Sequence, residues 1–127
     1  IRATISIPGV FAPYKIEDRY YIDGGILERV PVQAVKDLGA DVVIGVDVLA
    51  RGQEEEPPRN VIDTLQRTLS ITDWYITKQK EHLADLLLTP DVYRGVDPYS
   101  SRDSQVCIQK GREAALNHLE DIQLLLE

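Results

Sequence analysis

The sequence predicts an α/β fold, and three observations carry that expectation. Asp41–Leu49 reads DVVIGVDVL, an almost continuous apolar and β-branched run of the kind that forms an interior strand. Ile62, Leu69, Ile76 and Leu83 recur every seven residues, with Leu65 and Thr72 between them, which places one apolar stripe along a long helix. The signals along the chain follow the order β-β-α-β-α-β-α, the pattern of a layered α/β arrangement.

Each element has its own justification. Tyr14–Ile16 and Arg19–Ile22 are short β-rich runs on either side of the polar pair Glu17-Asp18, and together they predict a small hairpin. Pro31–Leu38 follows as a helix, with Pro in its first turn and Gly39 just past its end. The strand Asp41–Leu49 is expected to be covered on both faces, since polar residues do not alternate within it. Arg51–Arg59, RGQEEEPPR, is the one compositional break and suits a solvated connection. Asn60 then caps a helix running towards Asp85. Its seven-residue spacing also occurs in coiled coils, but so few apolar positions favour packing on a sheet. Leu86–Leu88 forms a strand closed by Thr89-Pro90. A last helix starts near Ser101–Ser104, with Ile108, Ala115, Leu119, Ile122 and Leu126 on one side. These strands are too few for a closed sheet. Together with the absence of any Met, this leads us to expect further strands N-terminal to the chain.

Composition excludes several function classes. The 127 residues suit one domain or a large part of one, with 43% apolar and 28% charged residues. A net charge of −7 without a basic cluster argues against a nucleic-acid partner, and against charge-driven docking on an anionic membrane. No stretch approaches the roughly 18 apolar residues of a membrane span, and none has the order of a signal peptide. The default localisation is cytoplasmic, with room for transient membrane contact. The single cysteine, Cys107, has no partner in the chain for a disulfide and reads as a small hydrophobe on a helix.

Asp23-Gly24-Gly25 is the tripeptide most suggestive of chemistry. It follows the run RYYI, and an Asp at the C-terminal end of a strand projects towards the crevice where α/β sheets bind ligands. The plain reading is a common Asp-Gly turn. At least one of Gly24 and Gly25 is expected to take φ > 0, or to lie too close to neighbouring backbone for a Cβ. Other candidates are weaker. His82 and His118 fall on helices among charged neighbours, and no Cys or paired carboxylate near them in sequence suggests a zinc site. Asp47 could mimic a phosphoacceptor, but the partner residues that reading needs cannot be placed. Trp74 and Tyr75 suit packing better than lipid contact.

The surroundings of Asp23 sharpen its reading. Upstream lies Ala3-Thr4-Ile5-Ser6-Ile7-Pro8-Gly9-Val10-Phe11; downstream lie Val30-Pro31-Val32 and Leu38-Gly39-Ala40-Asp41-Val42-Val43-Ile44. In this order and spacing the set resembles the bacterial patatin-like phospholipase family of serine acyl hydrolases. Leu83-Ala84-Asp85-Leu86, Thr89-Pro90-Asp91, Gly111 and Ala114-Ala115 extend the resemblance over nearly the whole chain, and Thr4 stands where that family often has Ser. The resemblance implies a three-layer α/β/α sandwich, of which residues 1–127 would be the C-terminal part. It implies a Ser-Asp dyad in which Asp23 is the base, Gly24 and Gly25 shape the site, and the substrate is a lipid or other carboxylic ester. It implies no metal or organic cofactor.

The family's G-x-S-x-G elbow and glycine-rich oxyanion loop have no counterpart in this chain. The nucleophile is therefore expected from an N-terminal part of the same protein, and the chain alone is expected to be inactive. Ser6 lies in the Ser-Ile-Pro turn and reads as structural, because a Ser there can bond local backbone. The rival reading is a patatin-like module that binds lipid or protein without catalysis.

Overall fold

A hairpin whose strand residues are all exposed opens the regular structure of the chain. In the computed structural model, which describes residues 1–49, 57–92, 100 and 103–127, β1 (Tyr14–Ile16) pairs antiparallel with β2 (Arg19–Tyr21). The register sets Tyr14 opposite Tyr21, Lys15 opposite Tyr20 and Ile16 opposite Arg19. Glu17 takes φ 52° in the connecting turn, the left-handed conformation that tight hairpin loops demand. The expected hairpin is present, one residue shorter at its second strand. Arg2 stacks 5.3 Å from the Tyr14 ring centre and Lys15 lies 5.7 Å from that of Tyr20, so two cations lean on the hairpin's aromatics.

The mixture of short strands and helices is α/β. After the hairpin come α1 (Gly25–Glu28), α2 (Val32–Asp37), β3 (Ile44–Val46), α3 (Val61–Lys80), a 3-10 turn at Glu81–Leu83, β4 (Leu86–Leu88), α4 (Ser104–Asn117) and α5 (Leu119–Leu125). Two compact units form, one from residues 1–29 with 57–79 and the other from 30–49 with the described residues from 80 onward. The acidic stretch 51–56 lies outside the described residues, as does Ser101.

In the first unit α3 begins as its sequence dictates. The Asn60 side chain accepts from Asp63 N–H at 2.8 Å, and the Asp63 carboxylate accepts from Arg59 N–H at 3.0 Å, satisfying donors at the helix start. The helix stops at Lys80, short of Asp85, because the chain tightens into the 3-10 turn and is extended by Ala84 (ψ 140°) on its way into β4. Only part of the apolar stripe faces inward: Leu69 and Ile76 are half-buried. Ile62 and Leu65 stay about 60% exposed, whereas Thr77 is buried and Asp73 holds Arg29 at 2.9 Å. Both ion-pair side chains are below 20% exposed. Desolvated charges keep their place only when paired, so the Arg29–Asp73 bond seats a polar position of α3 on its inward side beside these apolar residues. The expected packing of the whole stripe on a sheet is corrected accordingly.

The second unit is built on a parallel pair. β3 and β4 align Ile44 with Leu86, Gly45 with Leu87 and Val46 with Leu88. α2 ends as anticipated, with Gly39 at φ 92° donating its N–H to the Lys36 carbonyl at 2.9 Å. The strand is three residues long rather than nine, and it is covered on one face only. Val43, Gly45 and Asp47 are buried, while Ile44 and Val46 remain exposed among the described residues. Side chains alternate across a strand, and Val30 and Val32 fill the space beside Gly45 on the buried side. The closing helix is divided at His118 (φ −115°, ψ 20°), whose Nδ1 lies 2.9 Å from an Asp121 carboxylate oxygen.

Asp85 locks this unit together. Its carboxylate accepts from Val43 N–H at 2.8 Å and lies 3.5 Å from Lys36 Nζ, while its own N–H donates to the Val43 carbonyl at 3.0 Å. The Val43 bond first, and Lys36 second, hold its pKa below the ordinary 3.8. A depressed carboxylate pKa contributes stability that is present above the unfolded value and lost as pH falls through the folded one. We therefore expect Asp85→Asn to lower the thermal midpoint at neutral pH, and that deficit to shrink below pH 3.8 as the wild-type carboxyl protonates. Thermal midpoints of both proteins measured between neutral and strongly acid pH check this; a constant deficit across the range contradicts it.

Candidate active site

Asp23 stands at the meeting point of the N-terminal turn and the hairpin, within one unit. The Ala3–Phe11 segment folds as successive turns: Ser6 N–H donates to the Ala3 carbonyl at 3.2 Å, and Phe11 N–H to the Ile7 carbonyl at 2.9 Å. Gly9 takes φ 82°, which a glycine after Pro8 adopts without strain. β2 then returns the chain so that Asp23 N–H donates to the Ser6 carbonyl at 3.0 Å. Two segments far apart in sequence thus fix the Asp23 backbone.

The carboxylate is fixed separately. Asp23 Oδ1 accepts from Gly25 N–H at 2.7 Å, a short bond typical of an ionised acceptor. Among the described residues no hydrogen bond reaches Oδ2. The side chain is half-buried.

Gly24 and Gly25 adopt neither expected conformation. Gly24 has φ −68° and ψ −22° as the residue before α1, and Gly25 is the first residue of that helix. Neither takes positive φ, and no backbone crowds them; a Cβ on Gly24 would sit 3.4 Å from Thr4 Oγ1. The steric limit lies elsewhere. A Cβ on Gly25 would come within 2.9 Å of Asp23 Oδ1, so the bare position leaves the anchored oxygen its seat. Asp-Gly-Gly therefore starts a helical turn, because glycine is as compatible with right-handed φ as with left-handed φ.

The side chains of the other candidates do not join this site. Ser6 is buried and its hydroxyl donates to the Arg2 carbonyl at 3.0 Å, the local backbone bond anticipated for it. His82 is exposed on the 3-10 turn, and His118 pairs with Asp121. Asp47 is 1% exposed, with Oδ1 accepting from Leu49 N–H at 2.9 Å; so deeply buried a carboxylate cannot meet a phosphodonor. Cys107 is half-buried on α4, while Trp74 and Tyr75 are exposed on α3. Among the described residues no three His, Cys, Asp or Glu side chains gather as metal ligands, and no helix is long and apolar enough to cross a membrane. Sequence reasoning missed the bond between Ser6 and Asp23. The one signal for it was that both lie among the residues that carry the family resemblance.

Comparison with a family model falls on this same region. The family model described as patatin-like phospholipase matches residues 1–36. An uncharacterized NTE family protein of Mycobacterium tuberculosis is 42% identical over 60 residues, covering 47% of this chain and 16% of the relative. The lysophospholipase NTE1 of Scheffersomyces stipitis is 37% identical over 65 residues, covering 51% of this chain and 4% of the fungal protein. The lysophospholipase of Neurospora crassa is 40% identical over 48 residues, covering 38% of this chain and 3% of its own length. The chain thus spans a small share of each of these relatives. The segment that holds Ser6, Asp23, Gly24 and Gly25 is similar to the patatin-like phospholipase family.

Proposed function

We propose that the protein carrying this chain hydrolyses carboxylic esters of lipids, with Asp23 as the base of a Ser-Asp dyad. The observation that supports the reading is the geometry of Asp23: backbone held by Ser6, Oδ1 held by Gly25, Oδ2 left to accept a proton. It lies in the segment matched by the phospholipase family model, and relatives of the chain bear the name lysophospholipase.

The chemistry follows from that arrangement. A serine from the N-terminal part of the same protein gives its hydroxyl proton to Asp23 Oδ2 as its Oγ attacks the ester carbonyl. The tetrahedral intermediate collapses to an acyl-serine, and the proton on Asp23 passes to the departing alcohol. Water then loses a proton to Asp23, its oxygen attacks the acyl carbon, and the fatty acid leaves as the serine takes that proton back. A carboxylate is a weaker base than an imidazole. Much of the barrier must therefore be lowered by oxyanion donors, which would come from the same N-terminal part. Gly24 and Gly25 shape the turn that presents Asp23.

Release of free fatty acid from lysophospholipid micelles by the full-length protein tests this reading. We expect turnover that a fluorophosphonate abolishes, and no turnover by residues 1–127 alone. Lipid binding without fatty-acid release would favour a non-catalytic binding module instead.

A further inference from the structure

We propose that Ser6 is a positioning residue for Asp23, an inference that rests on the reading of Asp23 as the base. Ser6 is only 4% exposed and is one of three buried polar residues among those described. Both of its polar side-chain and carbonyl functions are in use. The hydroxyl donates to the Arg2 carbonyl at 3.0 Å and closes the turn from below, while the Ser6 carbonyl accepts Asp23 N–H at 3.0 Å. The same turn meets the residue after Asp23, since Thr4 Oγ1 lies 3.4 Å from where a Gly24 Cβ would be.

This places Asp23 between two constraints of different kinds. Gly25 sets the direction of the carboxylate through Oδ1, but only relative to the backbone of residues 23–25. Ser6 sets where that backbone stands. A base must sit within hydrogen-bond reach of the proton it removes, and a shift of about 1 Å can cost roughly a hundredfold in rate. Loss of the Ser6 hydroxyl frees the turn from its tie to Arg2 and lets Asp23 drift by a fraction of that distance. The effect appears in the proton-transfer step and leaves substrate affinity unchanged.

A double-mutant cycle in the full-length protein tests this, with kcat expressed per folded molecule as measured by circular dichroism. Ser6→Ala is expected to lower kcat about tenfold, with KM within about twofold of wild type. Ser6→Thr, which keeps the hydroxyl, should restore most of that loss. Because Ser6 acts through Asp23, Ser6→Ala added to Asp23→Asn should cost nothing further. Three results overturn the proposal: undiminished kcat in Ser6→Ala, an equal loss in the Asp23→Asn background, or no rescue by Thr. An Asp23→Asn protein with normal kcat overturns the base assignment itself, a failure distinguishable from the other three.

Discussion

Asp23→Asn in the full-length protein is expected to reduce kcat for lysophospholipid hydrolysis by about 10²–10⁴, the range for removing a positioned general base. Asn matches Asp in size, and its amide oxygen can still accept Gly25 N–H in place of Oδ1. The Asp23 N–H bond to Ser6 belongs to the backbone and survives the change. The thermal midpoint should therefore move little. What Asn cannot do is take a proton from a serine hydroxyl or from water, so acylation and deacylation both slow. KM should change much less than kcat, because the lost interaction operates in the transition state. If Asp23 merely shaped a turn, Asn would serve as well, and any loss would follow the thermal midpoint. Midpoint and kcat measured on one preparation separate the two cases.

A second large effect is expected at Gly45→Val, this time on stability. Gly45 lies in β3 with little room for a side chain: a Cβ would stand 3.0 Å from Leu87 Cδ1 and 3.2 Å from Val30 Cγ1. Val32, 2% exposed, closes the same space from α2. Valine is a better strand former than glycine, which alone would favour the substitution. Overpacking decides the sign, since two further methyl groups have to displace neighbours in a buried layer. We expect a loss of about 1–3 kcal/mol in denaturant unfolding. Gly45→Ala should cost less, because only the Cβ has to be accommodated by small shifts of Leu87 and Val30. Equal or greater stability in the valine variant would mean that this layer is loosely packed.

What was legible in the sequence was local. Asn60 announces the start of α3 because its side chain reaches a donor only three residues on, and Gly39 announces the end of α2 because left-handed φ suits glycine. The Glu17-Asp18 turn was legible for the same reason. Features decided by distant residues were not. The polar part of the inward face of α3 includes Asp73 held by Arg29, which are 44 positions apart, and an apolar period contains no trace of that bond. The single covered face of Asp41–Leu49 depends on where α2 lies, not on the strand's own composition. The conformation of Gly24 and Gly25 could not be read because glycine tolerates both signs of φ. Asp23 was singled out by its motif, whereas the bond from its N–H to the Ser6 carbonyl joins distant residues and emerges only on folding.

The central claim is that Asp23 activates a serine, and the rate of fluorophosphonate labelling tests it most directly. This probe reports nucleophile activation without the complications of lipid aggregation or product release. The wild-type full-length protein should label on one serine outside residues 1–127. Asp23→Asn should label that serine at least about a hundredfold more slowly at an unchanged thermal midpoint. Equal labelling rates in the two proteins, or labelling of a serine within residues 1–127, would contradict the account.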